Sequence, residues 1–198
     1  MTLRLALLGD SIAWGQGADR EEDRLAAVLV RGLAERGVVA EAQVFAVSGS
    51  RSAGLAPQVD RAVSWQQHVS VVIVGANDLT HLVPVSQAVD DLGEAVARLR
   101  GTGSEVVVAP APDLSTVPHV PPALRPVVQA ASAELRRRQS AAAIRLGARV
   151  ADVDAATARA FRTDAGLFSA DRFHPSSRGY AVIAAMLLPD VLAAATSY

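Results

Sequence analysis

The sequence predicts an α/β fold in which a parallel sheet carries helices on both faces. Short apolar runs alternate five times with longer segments of helical periodicity, which is the pattern of βαβ units. The clearest strand is residues 69–74, VSVVIV, a continuous β-branched run typical of a strand buried on both faces. With 198 residues, of which 51% are hydrophobic, the whole chain is expected to form one domain.

The predicted elements follow one another in order. The strands are residues 3–8, 41–47, 69–74, 105–109 and 148–153, and the helices are 20–36, 52–65, 85–100, 122–146 and 176–195. Gly37 ends the first helix, Pro57 leaves open a break in the second, and the fourth is either one long helix or two. The crossovers are expected to be right-handed.

Residues 110–126 form an unusual connection. Six prolines occur in PAPDLSTVPHVPPALRP, directly after the fourth strand. A loop of this length in a compact domain is usually functional, and this one is expected at the carboxyl edge of the sheet.

Polar clusters occur where ligands bind in open α/β sheets, beyond the carboxyl ends of the strands. Three follow the first three strands, and a fourth precedes the last helix. They are GDS at 9–11, SGS at 48–50, GAND at 75–78 and DRFHP at 171–175. The sequence therefore predicts that they meet at one edge.

Ser11, His174 and Asp171 are the candidate catalytic residues. A serine hydroxyl needs a base within hydrogen-bond reach. An imidazole can take its proton, while a carboxylate fixes the imidazole tautomer. Asp171 and His174 stand three positions apart and can face each other in one turn. Taken alone, however, DxxHP is equally consistent with a surface turn that begins a helix.

Gly49 and Asn77 are candidates for an oxyanion hole, together with the N–H of Ser11. A tetrahedral oxyanion needs donors aimed at it. Glycine lets a backbone N–H approach closely, and asparagine supplies a side-chain N–H. Each alone is more simply an ordinary turn residue. Asp10 and Asp78 are expected to hold their loops by hydrogen bonds.

Taken together, these four clusters resemble the motifs of the SGNH, or GDSL, hydrolases. That family carries serine, glycine, asparagine and histidine in four blocks, which match Ser11, Gly49, Asn77 and His174 here. Asp171 then completes the triad. The resemblance implies a three-layer α/β/α, flavodoxin-like fold with a five-stranded sheet in the order 2-1-3-4-5. It also implies metal-free hydrolysis of a small-molecule acyl ester, without a cofactor.

The resemblance has departures that bear on substrate binding. Where the family often has Leu-Thr after GDS, this chain has Ile12, Ala13 and Trp14. Trp14 is expected to wall a substrate pocket, with a core position as the alternative. Arg51 is more simply a surface residue than a contact for an anionic substrate. Two further histidines have expected locations: His81 is expected to line the cleft, and His68 is expected to be a surface residue.

Composition excludes several functions. Net charge is −1, so no nucleic-acid partner is expected. The sequence has no lysine and no cysteine, which removes the P-loop lysine, Schiff-base chemistry, disulfides and thiol catalysis. Dispersed histidines make a zinc site unexpected. Neither a membrane span nor a signal peptide is recognised, so the chain is expected to be cytoplasmic.

Three other interpretations remain open. An acyltransferase would use the same residues and pass the acyl group to a sugar or another alcohol. A phosphatase of the haloacid-dehalogenase type would use the acidic stretch at 152–157, but it lacks its lysine and its threonine is displaced by one position. The third is a flavodoxin-like module that binds a small anion. Such a module would need no base beside a hydroxyl, so the presence of Ser11, Asp171 and His174 argues against it.

Overall fold

Five parallel strands form one sheet in the order β2-β1-β3-β4-β5 in the computed structural model, which describes residues 2–151 and 154–197. The strands are β1 (Leu3–Gly9), β2 (Ala40–Val44), β3 (Val69–Ile73), β4 (Glu105–Ala109) and β5 (Arg149–Val150). Leu5 is level with Val69 in the register of β1 and β3. Both the predicted order and the parallel direction are confirmed.

The helices lie in two layers on either side of the sheet. They are α1 (Ser11–Trp14), α2 (Leu25–Ala34), α3 (Leu55–Trp65), α4 (Ala76–Thr80), α5 (Val85–Gly101), α6 (Arg125–Arg145), α7 (Asp154–Thr163) and α8 (Ser177–Thr196). One core packs α2 and α8 on the sheet, around Leu29, Val71 and Leu187. The other packs α3 and α5 on the opposite face, around Val59, Val72 and Val96. The predicted three-layer α/β/α sandwich is confirmed.

Several helices begin or end at residues other than those predicted. The helix expected at 20–36 begins at Leu25, because residues 21–23 form a separate 3₁₀ turn and Arg24 is extended. Pro57 does not break α3, since it lies in the first turn, where its missing N–H has no intrahelical partner to lose. Residues 125–145 are one helix.

The sequence analysis missed three helices, α1, α4 and α7. Two of them, α1 and α4, are four and five residues long, too short to show a hydrophobic period. The fifth strand is shorter than predicted and comprises Arg149–Val150. Residues 152 and 153, which belong to that predicted strand and to the acidic stretch considered for a phosphatase, lie outside the described residues.

The closing helix α8 is long and apolar enough, by composition, to cross a membrane, with a mean hydropathy of 1.6. The sequence analysis did not single it out. In the fold it packs against α2 and the sheet, and Tyr180, Leu187 and Val191 are fully buried. This position is that of a core helix.

Candidate active site

The turn after β1 places Ser11 at the start of α1. Gly9 has a φ of 129°, and a Cβ at this position would lie 1.7 Å from the carbonyl oxygen of Ile73. Only glycine fits there. Asp10 caps the helix, because its Oδ1 accepts a hydrogen bond from the N–H of Ile12 at 3.0 Å. The turn therefore presents the hydroxyl of Ser11 at the carboxyl edge of the sheet.

Gln58, which the sequence analysis did not single out, clamps this turn. Its Oε1 accepts from the N–H of Gly9 at 2.7 Å, and its Nε2 donates to the carbonyl of Gly9 at 3.0 Å. The side chain is fully buried. It satisfies both backbone groups of a residue at the end of its strand, where an unpaired buried group would be costly. A polar residue on the buried face of a predicted helix was the available signal.

Ser11, His174 and Asp171 form a continuous chain of hydrogen bonds. The Nδ1 of His174 lies 2.6 Å from Oδ2 of Asp171, and its Nε2 lies 3.1 Å from Oγ of Ser11. An ionised carboxylate only accepts, so Nδ1 carries the proton and Nε2 accepts from the hydroxyl. The arrangement can therefore remove the serine proton.

Asp171 uses both of its carboxylate oxygens. Its Oδ1 accepts from the hydroxyl of Ser169 at 2.8 Å, and from the N–H groups of Phe173 and His174 at 2.8 and 2.9 Å. Burial raises the pKa of Asp171, but these bonds and the one to the His174 ring outweigh it and hold the pKa well below its usual range. The carboxylate is thus ionised at any pH where the protein would work.

Gly49 lies on the loop after β2, and Asn77 lies in the short helix α4 that follows β3, at the same edge of the sheet. Gly49 is exposed, with a left-handed φ of 79°, a conformation that favours glycine. Nδ2 of Asn77 donates one N–H to the carbonyl of Ser50 at 3.0 Å. An amide nitrogen has a second N–H to offer to a ligand. Asn77 is therefore tied to the segment that carries Gly49.

A fully buried carboxylate, Asp10, lies directly before Ser11. Its side chain is 1% exposed, and its Oδ2 has no hydrogen-bond partner among the described residues. Burial raises the pKa of Asp10 to about 7; the bond from the Ile12 N–H opposes this rise, and the charge of Asp78 adds to it. Asp10 therefore holds its proton far above the usual range of an aspartate.

A cavity of about 520 Å³ opens beside Ser11 and His174. It runs along the ends of β3, β4 and β5 beneath the proline-rich connection. Its lining near the triad is mostly apolar and includes Ile73, Ala109, Val117, Phe161, Phe168 and Phe173. Pro110, Asp113 and Leu114 also line it, so the connection predicted to be functional forms one wall.

The comparisons with known proteins identify the family of the chain. Residues 7–182 match the model of the GDSL-like lipase/acylhydrolase family. The chain belongs to this family. A GDSL-like esterase of Mycobacterium tuberculosis, Rv1075c, is 35% identical over 189 residues, which make up 93% of this chain and 60% of that protein. The chain therefore spans less than two thirds of this relative's length.

Solved structures share the fold at lower identity. A catalytic mutant of Axe2, an acetylxylan esterase from Geobacillus stearothermophilus, superposes with a TM-score of 0.79 at 15% identity, over 96% of this chain and 95% of that one. TesA gives a TM-score of 0.77 at 20% identity, over 96% and 99%. Similarity at this level of identity shows the fold alone.

Several sequence-predicted residues do not line the cavity, and Gly49, Asn77 and Asp171 are among them. Trp14, Arg51 and His81 are not among the described residues that line it. Trp14 does not line this cavity; its ring packs against the guanidinium of Arg24, whose central carbon lies 4.5 Å from the ring centroid. Arg51 is exposed, which agrees with its interpretation as a surface residue.

The histidines outside the triad make structural contacts. His81 does not line the cavity, and its Nδ1 lies 2.8 Å from the carbonyl of Asn77 on the same short helix. The prediction that His68 is a surface residue is wrong, since His68 is buried and its Nδ1 accepts from the N–H of Arg4 at 3.1 Å. Within the described ranges, no three His, Asp or Glu side chains cluster so as to hold a metal ion.

Proposed function

We propose that this chain is a serine esterase that hydrolyses a carboxylic ester through an acyl-enzyme. The observation that carries the proposal is the chain of hydrogen bonds from Asp171 through His174 to Ser11 at the mouth of a cavity. Family membership supports the same reaction class. Rv1075c, which is named an esterase, adds support from a relative.

In the first half of the reaction, Oγ of Ser11 attacks the acyl carbonyl carbon while Nε2 of His174 takes the hydroxyl proton. The carbonyl oxygen becomes an oxyanion, which accepts hydrogen bonds from the N–H groups of Ser11 and Gly49 and from the side chain of Asn77. The tetrahedral intermediate then collapses. The bond to the alcohol oxygen breaks, and His174 gives this oxygen its proton.

In the second half, water replaces the alcohol. His174 takes a proton from the water as its oxygen attacks the acyl carbon, and the same three donors hold the new oxyanion. Collapse releases the carboxylic acid and returns the proton to Oγ of Ser11. Asp171 remains ionised throughout and stabilises the imidazolium that forms twice per cycle.

An activated serine is tested by covalent labelling. Intact mass is measured after incubation with a fluorophosphonate for wild type, Ser11→Ala and Ser64→Ala, the last being an exposed serine on α3. We expect one adduct on wild type and on Ser64→Ala, and none on Ser11→Ala. No adduct on folded wild type would contradict the proposal and favour a module that binds a small anion.

The acceptor is tested separately. A panel of p-nitrophenyl esters is incubated with the enzyme in water and then with added sugars and alcohols, and the products are separated by mass. We expect the free acid as the main product. An acylated sugar or alcohol as the main product would instead establish an acyltransferase that uses the same residues.

A further inference from the structure

We propose that the cavity beside Ser11 holds the acyl chain of the substrate, and that the enzyme prefers an unbranched chain of about eight carbons or more to acetyl. This inference rests on the proposed esterase function and names its substrate class. It stands on the length, the lining and the far opening of the cavity.

The length follows from the strand order. Ser11 stands after β1, and the cavity passes Ile73 at the end of β3, Ala109 at the end of β4 and Ala151 beyond β5. Neighbouring strands are about 4.8 Å apart, so three steps across the sheet span roughly 14 Å. An extended chain advances roughly 1.2 Å per backbone bond. The path therefore accommodates about twelve bonds, whereas an acetyl group fills only its beginning.

Small side chains make the room along this path. Ala76, Ala109, Ala151 and Ala158 all line the cavity. Each is nearly fully buried, so the space lies next to a packed core. A cavity of about 520 Å³ is in the ordinary range for small-molecule sites.

The walls favour a hydrocarbon over a sugar. Phe161 and Phe168 meet edge to face at 5.0 Å between ring centroids, and the Phe173 ring stacks in the same way on His174. Beyond Ser11 and His174, the polar side chains on the wall are Asp113 together with Thr116, Arg136, Arg137, Ser140 and Thr157. Asp113 is already paired: Arg162 lies 3.3 Å from its Oδ2, and the N–H of Ser115 lies 2.9 Å from its Oδ1. Most of the wall surface is nonetheless apolar, so it favours a hydrocarbon, for which each buried methylene is favourable.

The far end of the cavity leads to solvent. Ala133, Arg137 and Ile144 of α6 lie on its rim, and all three are exposed. A chain longer than the path can thus continue outward past these exposed side chains. For this reason we expect no sharp upper limit on chain length.

The test is a chain-length profile of kcat/KM with p-nitrophenyl acetate, butyrate, octanoate and dodecanoate. Each buried methylene is worth about 0.8 kcal/mol, or roughly fourfold in rate, so wild type should favour octanoate over acetate by at least tenfold. Ala158→Phe places a ring inside the cavity and should lower the octanoate-to-acetate ratio at least tenfold. Arg159→Phe places the same ring on the exposed side of α7 and should leave the ratio within about twofold.

Wild type that favours acetate would overturn the inference, as would an Ala158→Phe variant with an unchanged ratio. The wild-type profile decides the matter by itself if Ala158→Phe does not fold. Failure of the esterase function is distinguishable, because it appears as no hydrolysis of any ester and no fluorophosphonate adduct. An enzyme that labels on Ser11 but prefers acetate fails only the chain-length inference.

Discussion

The carboxylate of Asp78 accepts three hydrogen bonds from Ser52. The Ser52 N–H lies 3.1 Å from each carboxylate oxygen, and its hydroxyl donates to Oδ2 at 2.9 Å. Both side chains are 1% exposed. This contact joins the helix that carries Asn77 to the loop that follows Gly49. The side-chain donor of Asn77 and the backbone donor of Gly49, both proposed for the oxyanion hole, are therefore held by the same contact.

Ser52→Ala should destabilise the protein and slow labelling of Ser11. It removes one donor from a buried carboxylate, and such a bond to a charged group contributes about 1.5–3 kcal/mol. Urea unfolding measures the loss, and the rate of fluorophosphonate labelling measures the effect on the site. The exposed Ser64→Ala should change the unfolding free energy by less than about 0.5 kcal/mol. Equal stability of the two variants would refute the anchoring role.

Asn77→Ala should lower kcat by about 10²–10³ with little change in KM, as expected for a donor to the oxyanion. The reason is that the carbonyl oxygen gains most of its charge only in the transition state. Steady-state kinetics on a p-nitrophenyl ester measures both constants. His81→Ala is the matched variant on the same short helix and should keep kcat within about twofold. Unchanged turnover in Asn77→Ala would remove this residue from the mechanism.

Asp171→Asn should lower kcat by several powers of ten while keeping the loop in place. Three donors point at Oδ1, so the asparagine oxygen takes that position and its NH₂ faces Nδ1 of His174. The ring then carries its proton on Nε2 and cannot accept from Ser11.

Ser169→Ala is the control for this prediction. It removes one donor to the same carboxylate but preserves the His174 tautomer, so kcat should fall no more than about tenfold. An Asp171→Asn enzyme as active as Ser169→Ala would show that the tautomer does not depend on Asp171. A crystal structure of the variant, with the amide orientation assigned from its donors, provides an independent check.

Asp10→Asn should remove a pH dependence of stability. The folded pKa of Asp10, about 7, lies above the ordinary 3.8, so the folded state binds a proton that the unfolded state loses. Stability from this group is complete below pH 3.8 and declines as pH rises toward 7, by about 4 kcal/mol in all. Asparagine caps a helix as well as aspartate does and carries no charge to bury.

Urea unfolding at pH 5 and pH 8 measures this effect. We expect Asp10→Asn to be the more stable protein at pH 8 and to show a smaller difference between the two pH values than wild type. Asp90→Asn, an exposed carboxylate on α5, should follow the wild-type profile. A wild-type slope that persists in Asp10→Asn would place the titrating group elsewhere.

The sequence by itself determined the architecture and the candidate residues. Local hydrophobic runs such as 69–74 predict buried strands because a parallel strand must be apolar on both faces. The order of the polar clusters then places Ser11, Asn77 and His174 near the carboxyl edge, since the strand direction is common to the whole sheet. The pairing of Asp171 with His174 could also be predicted, because the two residues are only three positions apart.

Tertiary structure decided the features that depend on packing between distant segments. Gln58 reaches Gly9 across 49 residues, and Ser52 reaches Asp78 across 26. A polar residue on a buried helix face marks Gln58 itself, but no local pattern identifies which distant residue either side chain will contact. Trp14 was expected in the pocket, yet it packs under Arg24. The cavity exists because small side chains on several elements coincide beside Ser11. Such coincidences arise only when the chain is folded, because each requires surfaces that sequence order does not bring together.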